Sequence, residues 1–383
     1  MLATVGLVHS GMVASIFLPG SDFSSQDCRL PVEVQPLAGP GYDGQFFLAL
    51  AFDPFPPSDI ECALDDARYR GRRILWPLLA HAVAFGDPHG IVLALILLQL
   101  AFVGAGTWAL ARWATEHGAP PAWGIAFATS LGTTICLYRM LGDAILAALL
   151  LTVALFASKP RRAAQATALA LFSFALLQKE TAILALPLVA APLLSAFPEI
   201  SWKRRFSDLF LIALALAPAI AWWTWVASRT PATELETATI NLDLPFSGWI
   251  AAMSSRLEVA ESALHFLKDA SLLGFHLIAV LVALVVGLRE LPRLPPGRGA
   301  RGVPLTLFGF GILGTLLSAN VWIEPWAYGR ALLPMVVLLL AHSLDSETVV
   351  RSSFAARSGR AIAVAASLAG IAFTTLNLTL GQP

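Results

Sequence analysis

Charge is scarce in this 383-residue sequence. Asp, Glu, Lys and Arg together make 13% of it, about half the share of a soluble domain, roughly 25%. That shortfall excludes an ordinary water-soluble chain. The 25 basic residues are matched by 25 acidic ones, so there is no basic excess to attract nucleic acid, and no nucleic-acid partner is expected. Cysteine is nearly absent. Cys28, Cys62 and Cys136 form no CxxC pair and have no metal-ligand spacing, which excludes a disulfide-rich scaffold and a zinc module. Cys28 and Cys62 fall in one loop where a disulfide is chemically permitted. His9, His81 and His276 lie in or beside apolar segments and are not spaced as ligands. There is no internal repeat, no low-complexity tract and no boundary for a separate soluble domain.

What remains is apolar: 57% hydrophobic residues and a mean hydropathy of +0.72. Long apolar runs recur along the whole chain, punctuated by Pro, Gly and charge. They predict an all-α, polytopic membrane protein, a single transmembrane domain over 1–383 with about eleven transmembrane helices. The expected spans lie near 2–19, 90–111, 121–137, 143–157, 163–177, 181–197, 208–227, 271–288, 303–320, 329–343 and 361–380. The first lacks a basic n-region and a small-x-small cleavage site, and reads as an uncleaved span.

Loop charge sets the expected orientation. With the N-terminus cytoplasmic, the inner loops carry Arg112; Lys159, Arg161 and Arg162; Lys203, Arg204 and Arg205; Arg289, Arg293, Arg298 and Arg301; and Arg351, Arg357 and Arg360. The three short outer turns carry only Arg139, Lys179 and Arg330. Every step obeys the positive-inside rule. The expected setting is a bacterial inner membrane, with the C-terminus on the outer side.

Two long outer segments, 20–89 and 228–270, carry helices rather than linkers. GQFFLALAF between Asp43 and Asp53 predicts a short interfacial helix, and Asp65–Phe85 predicts a second. In the later segment Ile250, Met253, Leu257, Ala260, Leu264 and Leu267 recur at three- and four-residue steps, which predicts an amphipathic helix lying on the membrane surface.

Polar chemistry gathers on the outer side. Tyr42, Asp43 and Gln45 follow the first span in GYDGQFF. Arg68, Tyr69, Arg70, Arg72 and Arg73 follow in the same loop. Tyr138, Arg139 and Asp143 bracket one short turn; Gln178, Lys179 and Glu180 make another; Glu324, Trp326, Tyr328 and Arg330 make a third, in WIEPWAYGR. Ionisable groups are costly at membrane depth, so several converging at one level mark a candidate site. Each also has a plainer explanation. Asp143 and Glu180 stand where a helix N-terminus favours a carboxylate. Lys179 can snorkel, the Arg68–Arg73 cluster can hold anionic headgroups, and Trp326 and Tyr328 suit an interface belt. Asp43 is harder to explain structurally, because Gly41 and Gly44 around it point to a tight backbone.

An Asp in GYDGQFF after a first span, a long outer loop with two interfacial helices, the basic RYRGRRILWPLLA segment, the GD of one outer turn and the QKET of another together resemble the GT-C superfamily of membrane glycosyltransferases. These include lipid-linked aminoarabinose transferases, protein O-mannosyltransferases and PIG-V-like mannosyltransferases. The resemblance implies transfer of a sugar from a polyprenyl-phosphate donor to an acceptor hydroxyl on a lipid, glycan or protein at the outer face. It matches Asp43 to the family's catalytic base.

The residues fit that chemistry directly. A sugar phosphodiester carries its own leaving group, so the reaction needs a base and cations for the developing phosphate charge. Asp43 can be the base. Arg72, Arg73, Arg139, Lys179 and Arg330 are the candidate phosphate ligands. Tyr42, Gln45, Arg68, Tyr138, Asp143, Glu180, Glu324 and Tyr328 are candidates for the pocket. Direct attack with one base predicts inversion at the anomeric carbon. No second acid stands beside Asp43 in the D-x-D manner, so no cofactor is specified; a divalent metal stays open as an alternative without a supporting ligand pattern. Two other readings remain. A transporter or flippase for a lipid-linked sugar calls for paired repeats and broken helices, and neither is visible in the sequence. A non-catalytic membrane scaffold should tolerate loss of Asp43.

Overall fold

A computed structural model describes residues 13–23, 30–55, 61–194, 202–230, 241–259, 263–290, 302–345 and 353–380. Among these residues every regular element is a helix, joined by three isolated bridges such as Pro19 with Gly41. Four helices are long and apolar enough to cross a membrane: Pro88–Glu116, Phe206–Arg229, Asp269–Glu290 and Ala356–Thr375. Pro325–Ala331 and Leu333–Leu344 add a fifth if their 46° bend is taken within one span. Three apolar helices, Asp143–Ala157, Glu180–Leu193 and Gly302–Leu316, are shorter. The expected first span, 2–19, is described only from residue 13, where Val13–Phe17 is a 3-10 turn.

The long helices carry their apolar residues outward as well as inward. Leu93, Leu97 and Leu100 on the first, Phe210 and Leu214 on the second, Ile278 and Leu281 on the third, and Leu368 and Ile371 on the last are all exposed. Water would not tolerate so much exposed apolar surface, whereas lipid would. Asp143–Ala157 is the opposite case. It packs between Pro88–Glu116, Arg162–Gln178 and Leu333–Leu344 and is buried along almost its whole length. This central helix carries Asp143 at its first turn.

Several expected helices are broken, each for a visible reason. The span expected at 121–137 is a 3-10 turn, Pro121–Gly124, then Ile125–Thr129, then Leu131–Arg139. Ser130 is extended between the last two, and its Oγ caps the Thr133 N–H at 3.4 Å. Asp65–Phe85 divides into Ala67–Gly71 and Leu75–Val83. Restarting at Leu75 places Pro77 in a first turn, where its missing N–H leaves no helical bond unmade. Asp66 caps the earlier piece by accepting the Tyr69 N–H at 2.8 Å. The expected surface helix of 250–267 is present as Ser247–Val259 and the beginning of Ala263–Glu290, with Ile250, Leu257 and Leu267 exposed. Residues 260–262 lie outside the described residues. Cys62 is disulfide-bonded and Cys136 is free and buried; Cys28 lies outside the described residues.

Candidate functional site

Asp43 is placed by the residues on either side of it. Gly41 has φ +67°, a left-handed conformation that favours glycine. A Cβ at Gly44 would stand 2.6 Å from the Arg139 carbonyl and 2.9 Å from that of Phe17, so only glycine lets the Gly44–Phe52 helix start this close to the Arg139 turn. Gln45 latches the entering chain: Gly20 N–H donates to its Oε1 at 2.8 Å, and its Nε2 donates to the Pro40 carbonyl at 2.7 Å. Asp43 occupies the N-cap position but makes no side-chain cap, which leaves both carboxylate oxygens for other partners.

Those partners are two arginines distant in sequence. Arg70 Nη2 donates to Oδ1 at 3.1 Å, and Arg330 Nη2 donates to Oδ2. Each arginine also holds a second carboxylate. Arg70 is forked onto Asp65, at 2.8 and 2.6 Å, while Arg330 Nη1 lies 3.7 Å from Asp143. Lys179 Nζ donates to Asp143 at 2.5 Å. The result is a chain of alternating charge: Asp65, Arg70, Asp43, Arg330, Asp143, Lys179. Beside it Arg73 forks onto Glu180, at 3.2 and 2.6 Å, and also bonds the Tyr69 hydroxyl.

Arg139 is held differently. Its guanidinium lies over the rings of Tyr42 at 4.4 Å, Trp326 at 5.0 Å and Tyr138 at 5.6 Å. Three aromatic faces stabilise the cation without neutralising it.

Burial opposes the charge on Asp43, yet the fields of Arg330 and Arg70 and the Arg330 hydrogen bond outweigh it. They hold this carboxyl well below the usual carboxylate range. Burial, opposed by Arg330, pushes the Tyr42 phenol up, so Tyr42 stays protonated at neutral pH. Among the described residues, no group of three or more His, Cys, Asp or Glu is placed to hold a metal ion.

Two buried glutamines fix the turn that carries Arg139 and Asp143. Met140 ends the Leu131–Arg139 helix in a left-handed conformation, φ +51°, turning nearby carbonyls away from helical partners. Gln99 Nε2 donates to the Leu141 carbonyl at 2.9 Å, and Gln178 Nε2 donates to that of Gly142 at 3.2 Å. The basic turn is fixed from the other side by tryptophans: Trp222 Nε1 donates to the Gly71 carbonyl at 2.8 Å and Trp223 Nε1 to that of Arg72 at 3.3 Å.

Asp43, Arg73, Arg139, Asp143, Lys179, Glu180 and Arg330, drawn from separate stretches of sequence, therefore stand together, with Tyr42 and Tyr138 on Arg139. Glu324 precedes the Pro325–Ala331 helix and acts on the Tyr42 phenol through its charge. Other candidates lie apart. Gln45 serves the Gly20–Pro40 turn. Tyr328 is buried between Trp322 and His276, at ring distances of 5.4 and 4.7 Å. Arg68 and Arg72 are half-buried at the edge of the basic turn. Sequence reasoning gave no role to Arg70, the arginine bound to Asp43, or to Gln99. Arg70 and Arg73 stand three residues apart, the spacing of neighbours on a helix and a signal that was available, although the helix ends at Gly71 before reaching Arg73. Nothing in the sequence marks Gln99 beyond an amide inside an apolar run.

A cavity of about 780 Å³ opens next to this cluster, lined by apolar residues that include Ile96, Leu100, Leu137, Ile371 and Phe373. Tyr138 and Met140, the neighbours of Arg139, form part of its wall. Compared with protein-family models, with curated proteins and with solved structures, the chain matches none.

Proposed function

We propose that this chain is a multi-pass membrane glycosyltransferase of the GT-C kind, crossing the membrane about eleven times. It would move a sugar from a polyprenyl-phosphate donor to an acceptor hydroxyl on the non-cytoplasmic side. The observation that carries this reading is a juxtaposition: a carboxylate among arginines beside an apolar cavity that shares Tyr138 and Met140 with the Arg139 turn. A lipid phosphate has the complementary form, an anionic head on a long apolar tail.

In this scheme the acceptor oxygen attacks the anomeric carbon as its proton passes to Asp43. The bond from that carbon to the phosphate oxygen breaks, and prenyl phosphate departs with the bonding pair. The configuration inverts. Arg139 and Arg330 offset the added charge on the phosphate, which is larger in the transition state than in the bound donor. Arginine suits this task because its planar fork matches phosphate oxygens.

The bend between Pro325–Ala331 and Leu333–Leu344 favours a second reading, a transporter for a lipid-linked sugar, since broken helices line many transport sites. One labelling experiment separates them. A photoactivatable prenyl-phosphate sugar should crosslink to the cavity wall at Thr134 or Ile371 and lose its sugar when membranes supply acceptor. Labelling without sugar loss, together with movement of the intact lipid across a vesicle bilayer, would favour transport.

A further inference from the structure

Every carboxylate of the network already has a cation. Asp43 holds Arg70 and Arg330, Asp65 holds Arg70, Asp143 holds Lys179 and Arg330, and Glu180 holds Arg73. A phosphate entering beside Asp43 can lie against Arg139, and any second cation must be taken from a carboxylate. Building on the transferase reading, we infer that Asp43 is a masked base: the donor phosphate takes Arg330 from it, and only then can it accept the acceptor's proton.

The geometry favours Arg330 as the group that switches. It spans Asp43 and Asp143, and the Asp143 contact, at 3.7 Å, is the longest in the network. Asp143 keeps Lys179 at 2.5 Å when Arg330 turns away. Arg70 is anchored to Asp65 by two hydrogen bonds and stays in place whether or not Asp43 holds it. Arg330 stands near the 46° bend between two short helices, where a small reorientation disturbs no long helix.

The exchange matters because a carboxylate bound to two arginines is a weak base. Brønsted behaviour favours a base whose pKa lies nearer the working pH. Replacing a cation near Asp43 by an anion raises its proton affinity. The groups that act on Asp43 are Tyr42 beside it, Arg70 and Arg73 from the basic turn, and Arg330. Behind them Asp65 holds Arg70, Glu180 and Tyr69 hold Arg73, Asp143 with Lys179 stands on Arg330, and Arg139 and Glu324 act on Tyr42. Asp65 offsets part of the Arg70 field and Glu180 part of the Arg73 field, and Arg330 acts on Asp43 more strongly than either arginine. Arg330 is then the main determinant of Asp43 basicity. The mask also has a use: without donor, Asp43 cannot activate a stray water or hydroxyl.

The test is an infrared pH titration of the full-length protein in detergent, following the protonated Asp43 carbonyl stretch. Its loss in Asp43→Asn, or its displacement in Asp43→Glu, assigns the band. Farnesyl phosphate is the probe; below about pH 5 it carries the single charge of a diester. Farnesol and inorganic phosphate separate tail from head. Without ligand, no Asp43 protonation is expected down to about pH 3; with farnesyl phosphate the midpoint should rise to about 4 or above. Arg330→Gln should reproduce that rise with no ligand. If it does not fold, the ligand arm on the wild-type protein decides alone. The same rise with inorganic phosphate supports the exchange and assigns it to the headgroup alone. Binding of farnesyl phosphate with an unmoved Asp43 midpoint overturns the exchange but leaves the transferase reading standing. Absence of farnesyl phosphate binding overturns both.

Discussion

The two ends of the helix bundle use charge in different ways. At the Asp43 end, the ion pairs join residues far apart in sequence and are largely shielded from solvent. At the other end, about 22 Å away along the fifteen-residue central helix, Arg112 pairs with Glu116 one turn on, Lys159 joins them, and Arg162 reaches Asp208. Arg112 is 54% exposed and Arg162 48% exposed, against 9% for Arg70 and Arg73. The exceptions there are Asp208, itself buried at 3% exposure, and the buried pair His342–Glu290, at 2.9 Å. Exposed pairs contribute little to stability, whereas buried ones are costly to disturb. A fold has no need to gather so many ionisable groups inside one end, so the difference supports a site there.

The comparison breaks most readily at Arg330. Arg330→Ala leaves Asp43 and Asp143 with one cation each, and should lower unfolding stability in detergent by about 3 kcal/mol, the low end for a broken buried pair. Arg112→Ala at the opposite end, where Lys159 still holds Glu116, should cost no more than about 1 kcal/mol. Equal losses would erase the distinction between the ends. Next in size is Arg139→Ala, which should weaken farnesyl phosphate binding by about 1.5–3 kcal/mol, roughly ten- to a hundredfold, as expected for loss of a hydrogen bond to a charged group. Arg139→Lys should recover only part of this, because an ammonium cannot lie flat over the rings of Tyr42 and Trp326.

Gln99→Leu sharpens the comparison from a distance. It leaves the Leu141 carbonyl without its amide, a cost of about 1–2 kcal/mol in melting experiments. It should also weaken farnesyl phosphate binding, although Gln99 belongs to the cavity wall and not to the charge network. The smallest effect is that of acid. The Asp43 carboxyl titrates lower in the folded chain than in the unfolded one, so its stabilisation is fully present above about pH 4 and is lost as pH falls further, toward its folded value. The melting temperature should therefore fall below pH 4 more steeply in the wild type than in Asp43→Asn.

How much of this was legible in the sequence depends on the kind of signal. Loop charge is a summed signal, and the few cations in the turns read from it as outer stood out against it: Arg139, Lys179 and Arg330 all lie in the cluster. GYDG was legible because a left-handed Gly41 and a close-packed Gly44 are features that few other residues allow. The helix breaks at Ser130 and Arg72–Ile74 were hidden, since hydropathy does not distinguish a continuous apolar helix from two pieces joined by a capped turn. Arg70 was obscured within the Arg68–Arg73 cluster, where only packing shows that Arg70 and Arg73 are the buried pair and Arg68 and Arg72 the outer one. Gln99 and Tyr328 went opposite ways for one reason. Whether a polar group inside an apolar run meets the site or merely satisfies a neighbour is decided by tertiary packing, which put Gln99 under the Arg139 turn and Tyr328 against His276.

The central claim, that Asp43 accepts the proton, is tested most directly by Asp43→Asn assayed with a prenyl-phosphate sugar in membranes. The variant should fold, because Arg70 keeps Asp65 and Arg330 keeps Asp143. It should still bind the donor, and it should turn it over at least ~100-fold more slowly, the usual effect of removing a positioned base. Asp53→Asn, at the other end of the Gly44–Phe52 helix, should stay near the wild-type rate. Full turnover by Asp43→Asn would contradict the account.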